Sequence, residues 1–166
     1  MPQTLLALFA LVCATYYTST QQRSIVDDQV RLIHNEVELI GASVAVDRLE
    51  EVSSKAFDQK TVGNATLTSA SQLTAAASFG KEAGDNNDID DFHNGADTLA
   101  RKAGTSTLRF RVITTVAYGA ESSPETASTT QTKVKTVTAT VTSLDVTVAT
   151  GVTLKRSFTC GTSCNW

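Results

Sequence analysis

The chain has 166 residues, enough for one domain with an appendage, and 41% of them are hydrophobic, enough for a core. A net charge of -3 and a pI near 5.3 provide no basic stripe, so no nucleic-acid partner is expected. Aromatic residues are sparse at 6%, which argues against roles built on stacked rings.

Pro2 suits the first turn of a helix, where its missing N–H is harmless. From Thr4 to Tyr17 the run TLLALFALVCATYY is almost wholly apolar, and the first charged side chain is Arg23. A cleaved secretory signal wants a basic start and a small-residue cleavage site. No Lys or Arg precedes this run, and CAT at Cys13 to Thr15 is a poor site. A membrane anchor wants roughly 20 apolar residues. The uncharged stretch reaches about 33 Å as a helix, with Tyr16 and Tyr17 placed as interfacial aromatics.

The residues beyond Arg23 support a third reading. Val26, Val30, Ile33, Val37, Ile40 and Val44 recur in steps of 4 and 3, and Leu49 and Val52 extend the seam. No proline interrupts Gln3 to Phe57, and Gly41 is the only glycine there. The pattern predicts one helix from about residue 3 to about residue 54, roughly 75 Å long. Residues 1–56 are thus a helical region whose segment 1–24 is apolar all round. Its second half carries one apolar stripe that can pack on a globular domain, while its first half protrudes and needs other company.

Residues 57–166 read as the head. Segment 57–106 is rich in Gly, Ser, Thr, Ala, Asn and Asp and reads as a loop-rich connector, with a short helix near Ser69 to Ser78. Segment 107–166 reads as a β-meander. Leu108, Phe110, Val112, Thr114, Val116 and Tyr118 alternate with outward positions, the mark of a half-buried strand. Gly119 to Thr129 is a polar turn. Further strands are expected near 132–143, 145–150 and 152–159, with Gly151 as a break. The fold class is α+β: a very long N-terminal helix packed by its second half on an antiparallel sheet that covers Val37, Ile40 and Val44.

Cys160 and Cys164 lie four apart in CGTSC, a spacing that closes a small disulfide loop when Gly161 turns the chain. A metal site would need about four ligands, and only His34 and His93 could add imidazole. Cys13 reads as an inert apolar helix residue. DNNDIDDFH, Asp85 to His93, reads as a solvated acidic loop, because the order of a calcium-binding hand is missing. His93 beside Asp90 and Asp91 has no nucleophile signature with it. No enzyme activity, cofactor or metal is therefore expected. Lys133, Lys135, Lys155 and Arg156 read as charges protecting strand edges. Asn64 heads an NAT sequon and is a candidate glycosylation site.

An apolar helix, an amphipathic continuation and a β-rich head together resemble a type IV pilin or pilin-like subunit. The segments RLEEVSSKAFD (Arg48 to Asp58) and DIDDFHN (Asp88 to Asn94) resemble stretches of minor, MSHA-like pilins. The family's acidic residue near the start of the helix is missing: Leu5 stands there, and no acid precedes Asp27. The resemblance implies a structural subunit that sits first in the inner membrane, meets a pilus assembly machinery, and polymerises into an extracellular filament on the cell surface. Its core would be Leu5, Leu6, Ala7, Leu8, Phe9, Ala10, Leu11, Val12, Ala14, Tyr16 and Tyr17. Ala7, Ala10 and Ala14 would let copies approach closely. The alternative is a membrane-anchored minor pseudopilin or a binding module of a secretion system.

Overall fold

The structure, a computed structural model, describes residues 2–62, 66–80, 86–146, 151–162 and 164. Asn64, Asp85 and positions 147–150 of the expected 145–150 strand lie outside the described residues. The fold is α+β, one helix followed by an antiparallel sheet, and the chain divides into two units, Met1–Val37 and Glu38–Trp166.

Helix α1 runs unbroken over Pro2–Ser53, as the absence of internal proline predicts. In the first unit every side chain from residue 2 to residue 33 is exposed. Among the described residues no helix is both long and apolar enough to cross a membrane.

In the second unit α1 buries Gly41, Val44, Ala45, Arg48, Leu49 and Val52, in steps of 3 and 4. Gly41 marks the close approach to the sheet: a Cβ there would sit 3.4 Å from Val152, 3.7 Å from Phe110 and 3.9 Å from Val141. Val44 is buried as expected, and Ile40 is half-buried. Val37, the last residue of the first unit, is also buried. The helix ends where Ser53 and Ser54 turn their hydroxyls back on the carbonyls of Glu50 and Glu51.

Among the described residues the sheet has five antiparallel strands: β1 (Gly95–Ala103), β2 (Ser106–Ala120), β3 (Ser123–Ala127), β4 (Val134–Ser143) and β5 (Val152–Thr159). Its order is β1-β2-β4-β5, with β3 paired to the end of β2. Along β2 the side chains of Phe110, Val112, Thr114, Val116 and Tyr118 are buried and those between them more exposed, the predicted alternation.

Three sequence expectations are corrected here. Residues 95–103, read as connector, are strand β1. Its GADTLARKA sequence carries no strong apolar alternation because it is an edge strand with little buried surface. It forms by pairing along its whole length with β2, from Gly95 opposite Thr114 to Ala103 opposite Ser106. Gly104, with φ of 58°, makes the turn. Second, Asp145 and Val146 are not strand: β4 pairs directly with β5. Asp145 instead clamps the loop, accepting from the Arg109 backbone N–H at 2.6 Å and from its guanidinium Nη2 at 2.6 Å. That hydrogen bonding holds the Asp145 carboxyl below the usual carboxylate range. The expected helix over Ser69 to Ser78 is two 3-10 turns, Ala70–Gln72 and Ala76–Ser78.

Candidate functional site

Two features of the molecule can carry function. The first is the apolar surface at the start of α1. Leu5, Leu6, Leu8, Phe9, Leu11 and Val12 are each 61 to 69% exposed. At about 100° per residue these six positions cover an arc of roughly 220°, and Ala7 and Ala10 fall in the remaining sector, so the surface is apolar all round. The polar segment beyond them hides its own polarity. Thr15 donates to the Val12 carbonyl at 2.9 Å, Ser19 to Tyr16 at 2.9 Å and Thr20 to Tyr17 at 2.8 Å. Gln21 reaches the Tyr17 hydroxyl at 2.9 Å. Hydroxyls satisfied within the helix can pack against an apolar neighbour without losing a partner. Cys13 is free and exposed on this helix.

The predicted disulfide is formed. Cys160 and Cys164 are bonded, with Cα atoms 5.7 Å apart. The Cys160 N–H donates to the Lys133 carbonyl at 2.8 Å, and Cys164 bridges Leu67, so the loop fastens the chain end to the head.

The second feature was not predicted. Lys135 on β4 is fully buried. Its Nζ donates to Asp90 Oδ1 at 2.5 Å, to the Phe57 carbonyl at 2.7 Å and to Asp58 Oδ2 at 3.1 Å. The rings of Phe57, Phe79 and Tyr118 enclose it, their centroids 4.8, 5.2 and 5.6 Å from Nζ. Asp58 lies just past the end of α1 and caps the turn Gln59–Thr61. Its carboxylate also accepts from the Thr74 N–H at 2.9 Å and the Thr74 hydroxyl at 3.1 Å. Asp90 stands at the start of the turn Asp90–Phe92, just before β1. Tyr118 donates its hydroxyl to the Thr74 carbonyl at 2.7 Å, and burial, reinforced by the nearby aspartates, pushes its phenol up.

A third carboxyl, Asp88, completes the cluster. Asp88 is fully buried; its Oδ1 accepts from the Asp91 N–H at 3.2 Å, and its Oδ2 has no hydrogen-bond partner. Burial, then the charges of Asp90 and Asp91, push its pKa up to about 7, against an opposing pull from Lys135. A bridge between Ala56 and Asp88 holds this segment beside the end of α1.

No protein family model, curated protein or solved structure matches this chain. The site is therefore read from its own geometry. Within the expected solvated acidic loop, Asp88 and Asp90 are instead buried: Lys135 holds Asp90, and the Asp91 N–H holds Asp88. His93 is not paired with Asp90 or Asp91 through its ring, whose Nδ1 accepts from the Val116 N–H at 3.0 Å. Among the described residues no group of His, Cys, Asp and Glu is placed to hold a metal ion. Lys135 is not an edge charge, since β4 lies between β2 and β5. One signal in the sequence marks it: Lys135 has the same parity as Val137, Ala139 and Val141, all buried, so its side chain points into the core.

Proposed function

We propose that this chain is a structural subunit that self-assembles into a pilin-like helical filament through the apolar part of α1. The observation that carries this reading is the apolar surface of residues 5–12, exposed on every side of a helix that continues into the core of the second unit. A single partner groove covers one face of a helix. A surface apolar all round needs neighbours all round, which a bundle of the same helices supplies. Each large side chain covered gains about 1.5–3 kcal/mol. Six of them give on the order of 10 kcal/mol, enough to offset the cost of ordering a subunit in a polymer. Ala7, Ala10 and Ala14 let helices approach closely. The self-bonded hydroxyls of Thr15, Ser19 and Thr20 extend the surface that can be packed. Head-to-tail contacts that do not close into a ring give an open helical filament. The second unit then supplies the solvent-facing surface, stapled by the Cys160–Cys164 bond.

A membrane-anchored pseudopilin or binding module uses the same residues differently and leaves them in lipid. Passage through the inner membrane before assembly, delivery by a pilus machinery and an extracellular location belong to this proposal. The test is negative-stain electron microscopy of detergent-free, sheared cell-surface material, with mass spectrometry for this chain. Uniform thin filaments made mainly of it support the reading. Recovery only in a detergent-soluble membrane fraction, with no filaments, overturns it.

A further inference from the structure

The buried Lys135 cluster contains the parts of a condensation reaction. An amine lies against a carboxylate, with 2.5 Å between Lys135 Nζ and Asp90 Oδ1, and both groups are held by packed elements. A second carboxylate, Asp58, touches the same amine and is fixed by Thr74 and Lys60 donors. A third carboxyl, Asp88, is fully buried with an unpartnered oxygen and lies within electrostatic reach of both Asp90 and Lys135. An unpaired buried carboxylate oxygen is costly, and a proton on it removes most of that cost. The rings of Phe57, Phe79 and Tyr118 exclude water from the amine.

We propose that Lys135 and Asp90 form an intramolecular amide cross-link, with Asp58 as the group that carries a proton from the nitrogen to the leaving oxygen. The steps balance within these three side chains. The Lys135 ammonium gives a proton to the Asp90 carboxylate across their hydrogen bond, leaving a neutral amine and a neutral carboxyl whose Cγ is electrophilic. The amine lone pair attacks Cγ, and the new C–N bond forms as the C=O π bond opens. Asp58, in contact with the same nitrogen, takes a proton from it. The C–O bond breaks, and the hydroxyl leaves as water with that proton. One water is lost, Asp58 ends ionised as it began, and no oxidant or cofactor is needed. Asp88 makes no hydrogen bond to either group and takes no part in the transfer. In water an ammonium and a carboxylate do not condense, because both are stable as ions. Here desolvation weakens both charges, and fixed proximity supplies an effective concentration of about 10⁵–10⁸ M. The bond joins positions 45 apart in sequence and ties the turn before β1 to the middle of the sheet. A cross-link there suits a subunit that bears tension, but the inference stands on the cluster alone and is independent of the filament reading.

The experiment is peptide mapping by mass spectrometry of the purified, folded full chain, with the disulfide reduced and the chain then unfolded and digested. The expected result is a branched peptide joining the Lys135 and Asp90 segments, lighter by one water than the two free segments together. Free segments only would show an ordinary ion pair and overturn the proposal. A branch from Lys135 to Asp58 would overturn the assignment of Asp90. The proton carrier is tested by Asp58→Asn, followed over time after refolding. Cross-linking should slow at least about a hundred-fold, as loss of a positioned acid–base group does. A refolded variant that cross-links at the original rate would overturn the role of Asp58. The map of the unaltered chain decides the bond itself even where the variant does not fold.

Discussion

Replacing Asp88 by Asn tests the electrostatics of the core through its pH dependence. Asp88 is fully buried, and its pKa is raised from 3.8 to about 7 in the folded chain, first by burial and then by Asp90 and Asp91. A carboxyl that holds its proton more tightly when folded stabilises the fold below its unfolded pKa. That stability is lost as pH rises through the folded value, because the folded state must then bury a charge. The slope approaches 1.4 kcal/mol per pH unit in the window between the two values. Between about pH 5 and about pH 8 the loss from this one group is roughly 2–3 kcal/mol. Asn has nearly the same shape and no titration, so Asp88→Asn should flatten the profile by that amount. Urea unfolding of both proteins across this range, at low chain concentration, measures it. A covalent bond already in place at Lys135 adds an offset that does not vary with pH, so the slopes remain comparable. Parallel profiles for the two proteins would refute the reasoning and mean that Asp88 is ionised, or solvated, in the folded state.

Tyr118→Phe removes the hydroxyl that donates to the Thr74 carbonyl in the core, and should cost about 1–1.5 kcal/mol in urea unfolding. Cys160→Ser with Cys164→Ser opens a loop spanning only four positions, so the loss should be limited to roughly 2 kcal/mol, read the same way. Gly80 has a φ of +66°, and a Cβ there would collide with the His93 carbonyl oxygen. Gly80→Ala should therefore destabilise by about 2 kcal/mol or more, seen as a lowered thermal midpoint. Phe9→Asp places a charge on the apolar surface of α1. It should abolish sedimentable polymer while leaving the urea midpoint of the second unit unchanged.

The parts of this fold that were legible in the sequence are those written in one local period. The steps of 3 and 4 from Val26 to Val44, their extension by Leu49 and Val52, and the missing prolines specify α1 to within a residue or two of its observed ends. The alternation from Leu108 to Tyr118 specifies β2, and the CGTSC spacing its disulfide. Strand β1 was illegible because an edge strand buries too little to need apolar alternation; its partner β2 supplies the order. Asp145 reads as strand in its Val- and Thr-rich setting, yet its carboxylate is worth more clamping Arg109.

The exposed apolar helix is written in the sequence alone, because a run with no charge before Arg23 leaves no polar face to turn outward. The Lys135 cluster is not. Its members stand at positions 58, 88, 90 and 135, on the end of a helix, two loop segments and a strand, and no local pattern links them. The parity of Lys135 says only that the side chain points inward. That three carboxyls and three aromatic rings wait there was decided by the tertiary structure. Only the packing of α1's end and the turns against β4 removes the water that would otherwise keep each charge apart.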